Sequence, residues 1–149
     1  MSIRLLIVDD NDLIRGHIKS FLSAEPDIEV VGEAKDGETA VLFARKLSPD
    51  VVIMDISMPK LSGIEGTAEI LRDNALIKVI ILSAYSEKHF VVTALKTGVS
   101  GYVLKTSIDK DLIPALRAVM ANKLFLSPQI KDVVIEDYTK PPLKANDSH

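Results

Sequence analysis

Five short apolar runs alternate with stretches whose apolar residues recur at helical spacing, and nothing else in the sequence restricts the fold as much. The runs are Ile3–Val8, Ile28–Ala34, Val51–Met54, Val79–Leu82 and Gly101–Leu104. Between them, helical stripes are marked by Leu13, Ile14, Ile18, Phe21 and Leu22, then by Ala40, Ala44 and Leu47. Ile64, Ala68 and Leu71 mark a third, Phe90, Val91, Ala94 and Leu95 a fourth, and Leu112, Leu116 and Val119 a fifth. Strands that alternate with helices pair in parallel through right-handed crossovers. The expectation is an α/β domain: a doubly wound, five-stranded parallel sheet with helices on both faces.

Punctuation between the runs supports this reading. The cluster Asp9-Asp10-Asn11-Asp12 suits a helix N-cap, Pro26 closes the first helix, and Asp36-Gly37 reads as a turn. Ser62 followed by Glu65 matches a capping box for the third helix, and Gly98 suits the position after the fourth. Pro114 is discordant, because inside a helix it removes one hydrogen bond and crowds the preceding turn. Either the fifth helix starts late or it is kinked there. Ser127-Pro128 reads as the start of a sixth helix, with Ser127 as N-cap and Pro128 in the first turn. From about Asp137 the apolar period is lost, so the domain core is assigned to 1–126, and 127–149 to a linker helix and tail.

Composition excludes several classes. A formal net charge of −3 over 149 residues offers no basic stripe for nucleic acid. The absence of cysteine removes disulfides and thiolate metal sites and suits the cytoplasm. His17, His89 and His149 are too scattered to form a metal cluster and are taken as surface residues. No apolar run approaches a membrane span, and the opening Met1-Ser2-Ile3-Arg4 lacks signal-peptide character.

In a parallel sheet the residues just beyond each strand arrive at one edge, where open α/β sheets place their ligands. Here those residues are Asp9-Asp10, Asp55, Ser83 and Lys105. Taken singly, each has an ordinary role as cap, turn residue or solvated charge. Together they place carboxylates, a hydroxyl and an ammonium in one pocket. Clustered carboxylates repel, and oxygen-only ligands favour hydrated Mg²⁺ as the counter-charge. Asp55 is then a candidate oxygen nucleophile for a phosphoryl group, with Lys105 and Ser83 placed to steady its oxygens.

The residues that carry this pattern resemble the receiver domain of bacterial two-component response regulators. The likeness runs from Ile3-Arg4-Leu5-Leu6-Ile7-Val8-Asp9-Asp10 to about Ile130, through Met54-Asp55-Ile56-Ser57-Met58-Pro59-Lys60-Leu61-Ser62-Gly63, Ser83-Ala84 and Gly101-Tyr102-Val103-Leu104-Lys105. Gly32-Glu33-Ala34, Gly98-Val99-Ser100-Gly101-Tyr102 and Phe125-Leu126-Ser127-Pro128 are similar to the NarL/FixJ (LuxR-type) subfamily. The resemblance implies a flavodoxin-like fold with strand order 2-1-3-4-5. It implies a phosphoacceptor at Asp55, served by a sensor histidine kinase, and Mg²⁺ held by Asp10, Asp55 and the Ser57 backbone carbonyl, with Asp9 acting through water. Ser83 corresponds to the switch hydroxyl, Tyr102 to an aromatic that turns inward on activation, and Lys105 to the phosphoryl-contacting lysine. It further implies homodimerisation on activation, and DNA contact only through a helix-turn-helix domain expected beyond the linker.

Departures from the family pattern are Ser83 in place of the commoner threonine, Thr106 after Lys105, and Pro114. Two rival readings remain. One is a stand-alone receiver that docks to a protein without touching DNA. The other is an aspartyl-phosphate phosphatase, against which stands Ser57, where such enzymes usually carry a second acid. The expected chemistry is therefore a switch, limited to Mg²⁺-dependent self-phosphorylation and slow self-dephosphorylation.

Overall fold

The computed structural model describes residues 2–56, 58 and 62–139. Strands β1 (Ile3–Val8), β2 (Ile28–Ala34), β3 (Val51–Asp55), β4 (Lys78–Ser83), β5 (Gly101–Leu104) and β6 (Phe125–Leu126) form one sheet. Helices α1 (Asp12–Leu22), α2 (Gly37–Leu47), α3 (Gly63–Asp73), α4 (Lys88–Thr97), α5 (Ile108–Met120) and α6 (Pro128–Thr139) connect and follow them. The strand order is β2-β1-β3-β4-β5-β6 and every pairing is parallel. The fold class and the order of the first five strands are as expected, but the sheet has six strands instead of five. The sixth forms because Phe125 and Leu126 pair with Gly101 and Tyr102, an edge that five strands would have left open. Two residues are too few for apolar alternation to register as a strand.

Alternate side chains along each strand leave on opposite faces, which divides the core in two. Leu6, Val8, Val52, Met54, Val79, Ile81 and Tyr102 pack with α2, α3, α4 and α6. Leu5, Ile7, Val51, Ile53, Ile80, Leu82 and Val103 pack with α1 and α5, through Ile18, Leu22, Leu112, Leu116 and Val119. Because both faces are covered, the central strands read as continuous apolar runs.

Local signals account for most helix ends. The Asn11 side chain accepts from the amides of Leu13 and Ile14, and Ser62 accepts from Glu65 N–H at 3.2 Å, the expected first half of a capping box. Gly98 ends α4 with φ 105°, a left-handed conformation that a side chain would strain. Asp36, expected in a turn, instead caps α2 by accepting from Thr39 N–H at 2.8 Å. Pro114 lies inside α5 as its seventh residue, counting from Ile108, so the late-start alternative does not hold. Among the described residues no helix is long and apolar enough to cross a membrane.

The sixth helix is joined to the core more tightly than its place after the last strand suggests. Ser127 N–H donates to the Tyr102 carbonyl, and the Ser127 carbonyl accepts from Ile130 and Lys131, as an N-cap residue does. Its hydroxyl, however, does not cap α6. It donates to Asp111 Oδ2 at 2.8 Å and accepts from Leu104 N–H at 3.1 Å, because a carboxylate buried on α5 requires a donor. Ile130 is fully buried against the α4 side of the core. The tail expected from about Asp137 is helical to Thr139, and its remainder, 140–149 with His149, lies outside the described residues.

Candidate functional site

Register brings the predicted residues to one edge. Val8 pairs with Met54, so Asp9 and Asp55 leave the sheet at the same level. Asp55 pairs with Leu82, one residue before Ser83, and Ser83 pairs with Leu104, one residue before Lys105. The carboxyl ends of four strands thus converge, with Lys105 opening a short 3-10 turn over Lys105–Ser107.

Asp9, Asp55 and Ser83 are buried, and Asp10 is exposed at the rim. One carboxylate oxygen from each of Asp9, Asp10 and Asp55 can be chosen so that all lie within 4.8 Å of one another. Lys105 Nζ lies 3.3 Å from Asp9 Oδ2 and 3.3 Å from Asp55 Oδ1. Burial pulls the Lys105 ammonium down, but the charges of Asp55 and Asp9 outweigh that and hold it above the usual lysine value. Lysine therefore stays a cation in a pocket where isolated carboxylates would be costly.

A divalent cation fits this donor set. Three carboxylates gather beside one ammonium, and the buried Asp9 Oδ2 has no donor beyond that ammonium at 3.3 Å. Hard oxygen ligands with an open, solvent-facing side suit Mg²⁺, which retains several waters. Ile56 is tied to the start of α3, where Gly63 N–H donates to its carbonyl at 3.3 Å. A Cβ at Gly63 would strike the Asp55 carbonyl oxygen and come within 2.8 Å of Ile56 Cα. Only glycine lets α3 begin this close to the backbone of Asp55 and Ile56. Ser57, expected to offer its carbonyl, lies outside the described residues.

On the opposite side, Ser83 Oγ accepts from Tyr85 N–H at 2.9 Å, which leaves the hydroxyl proton to point elsewhere. Tyr102 is fully buried and its hydroxyl donates to the Tyr85 carbonyl at 2.7 Å. The aromatic expected to turn inward is therefore already inward. Burial pushes the Tyr102 phenol above its usual value, the nearby Ser83 hydroxyl pulls it back, and Glu87 adds to the rise. Tyr85 stacks on Phe90 with ring centroids 4.7 Å apart.

Gly63 closes the sequence motif that follows β3, and its close approach to the Asp55 backbone is what the structure adds. Two features were missed from sequence: the Asp111–Ser127 pair, which joins residues sixteen apart that no local pattern links, and Arg15. Arg15, which is 7% exposed, donates to the Asp9 backbone carbonyl at 2.6 Å. Its i, i+3 spacing from Asp12 is the signal that could have found it.

Fold and edge together define a doubly wound domain of the signalling type, and comparison with known proteins agrees. Residues 5–117 match the family model described as the response regulator receiver domain. The chain belongs to that family: it is a receiver domain of a two-component response regulator. It is 38% identical over 138 residues to the transcriptional regulatory protein DegU of Brevibacillus brevis, covering 93% of this chain and 58% of that one. It is 39% identical over 130 residues to the response regulator protein VraR of Staphylococcus aureus, covering 87% and 62%. The chain thus spans about three-fifths of the length of these curated relatives. Among solved structures, a LuxR-family two-component response regulator from Aurantimonas superposes with a TM-score of 0.89 at 30% identity, covering 94% of this chain and all of that one. The LuxR-type likeness noted in the sequence is borne out.

Proposed function

We propose that Asp55 is the phosphoacceptor of this receiver and that the pocket around it holds Mg²⁺. A carboxylate oxygen of Asp55 attacks the phosphorus of a phosphohistidine on a sensor kinase. The P–N bond breaks, an acyl phosphate P–O bond forms, and the histidine leaves. Asp10, Asp55 and the Ser57 carbonyl would hold the ion, with Asp9 acting through water. The bound ion supplies positive charge that offsets the carboxylates and the incoming phosphoryl oxygens. Lys105 holds a further phosphoryl oxygen, and Ser83 turns its hydroxyl proton to another. Small phosphodonors would serve the same nucleophile, and hydrolysis would be slow.

The observation that carries this reading is Lys105 Nζ at 3.3 Å from both Asp9 and Asp55, in a pocket where three carboxylates converge. Phosphorylation acts by its differential contacts with two pre-existing arrangements. The Ser83 hydroxyl, Tyr102 and the α4 surface are where those contacts would differ, since Tyr102 reaches the Tyr85 carbonyl one turn before α4. We further take 1–126 as the receiver unit and 127–149 as a linker to a DNA-binding helix-turn-helix domain. Activation would proceed by homodimerisation in the cytoplasm.

The test is mass spectrometry of the intact chain after incubation with acetyl phosphate and Mg²⁺. The wild type should gain one phosphoryl group, lost on adding alkali, and Asp55→Asn should gain none. A gain that persists in Asp55→Asn, or its appearance without Mg²⁺, sinks the assignment.

A further inference from the structure

We propose that Arg15 is a positioning residue for the metal end of the pocket, fixing the Asp9–Asp10 peptide so that the two carboxylates converge on one cation; this rests on the Mg²⁺ reading above. Arg15 lies on the first turn of α1 and yet is 7% exposed, which is unusual for arginine on a surface helix. Its guanidinium is engaged on every side. Nη1 donates to the Asp9 carbonyl at 2.6 Å, Nη2 to Asp12, and Nε to Glu33 Oε1 on β2 at 3.0 Å. Glu33 is itself held by Lys19 at 2.8 Å. The fork is therefore anchored to a strand before it reaches the loop.

The atom it holds matters. The Asp9 carbonyl belongs to the peptide joining Asp9 to Asp10, so fixing that oxygen fixes the plane from which the Asp10 side chain departs. The same peptide segment is tied at its other end, where Asp9 N–H donates to the Ala34 carbonyl at 3.1 Å. Asp9 Oδ1 is also occupied, by Asn11 N–H at 2.9 Å, which leaves Oδ2 facing Lys105 and the pocket. Arg15 bonds none of the three carboxylates of the proposed metal set. It acts through the backbone, as outer partners of metal ligands do, and their loss costs about 10- to 100-fold in metal affinity. Lysine has the charge but not the planar fork that serves three acceptors at once.

The experiment titrates Mg²⁺ alone into the full chain at neutral pH, by calorimetry and by amide NMR. Arg15→Met should raise the Mg²⁺ Kd about tenfold, and Arg15→Lys nearly as much, because the geometry and not the charge is lost. Ile18→Val, which loosens the same helix from its core side, should leave the Kd within twofold despite lowering the unfolding temperature. Kd values within twofold of wild type for both Arg15 variants overturn the proposal. Should those variants fail to fold, the wild type decides: its Arg15 Nε–H resonance should titrate with the same Kd as the Asp10 amide, and a resonance that does not move overturns the proposal. A wild type that binds no Mg²⁺ overturns the metal reading itself, and this inference with it.

Discussion

The two corners that flank Asp55 are held by different forces. At the β1–α1 corner, Asn11 accepts two helix amides, Arg15 bridges strand, loop and helix, and Lys19 closes on Glu33. Nearly every contact is directional and several are charge-assisted. At the β4–α4 corner, Glu87 precedes α4 without a side-chain cap, and the hydroxyls of Thr93 and Thr97 turn back to carbonyls within their own helix. Two hydrogen bonds tie Tyr85 to the sheet, the Tyr102 phenol to its carbonyl and its N–H to Ser83 Oγ, beside the stacked rings of Tyr85 and Phe90 and a tilted contact of Phe90 with His89. Ring contacts tolerate sliding, whereas a forked guanidinium does not. The difference teaches a division of labour: the corner proposed to hold a cation is built to stay still, and the corner proposed to respond is built to shift.

Substitutions rank the two corners. The largest effect is expected from Asn11→Ala, which strips two amides at the start of α1 and should cost about 1–2 kcal/mol in urea unfolding. Its counterpart Glu87→Ala should stay within about 0.5 kcal/mol, since it removes no cap bond. Equal costs would abolish the contrast.

Next comes Glu33→Gln, expected to cost about 1 kcal/mol at pH 7, a value discounted because the carboxylate is partly exposed. Lys19 holds the Glu33 carboxyl below the usual 4.5, with Arg15 adding to the effect against an opposing contribution from burial. A lowered folded value means the stabilisation is complete above about pH 4.5 and fades as pH falls through the folded value. The gap between wild type and Glu33→Gln should therefore close in acid. A gap that stays constant down to pH 3 would mean the charge contributes nothing to this corner.

The smallest effect is expected from Tyr102→Phe, about 0.5–1 kcal/mol, because it removes one bond to a partly solvated carbonyl while keeping the buried ring. Should it exceed the cost of Asn11→Ala, the β4–α4 corner is the stiffer of the two and the division of labour is reversed.

Much of this molecule was legible before any coordinate. Apolar runs of strand length, helical stripes and the residues that end them are local patterns, and they determined five strands, five connecting helices and their parallel arrangement. Asp9, Asp10, Asp55, Ser83 and Lys105 followed from topology, because parallel strands deliver their ends to one edge. What the sequence did not disclose are contacts between residues distant along the chain. Phe125–Leu126 become a sixth strand only when β5 offers an open edge. The Ser127 hydroxyl serves Asp111 and Leu104 instead of its own helix because those groups are buried beside it. Arg15 looks like any surface arginine until Asp9, Asp12 and Glu33 close around it. Periodicity reports which face a side chain takes, since that depends on near neighbours. Which buried polar group meets which is decided by tertiary packing, because each must find a partner wherever the fold happens to provide one.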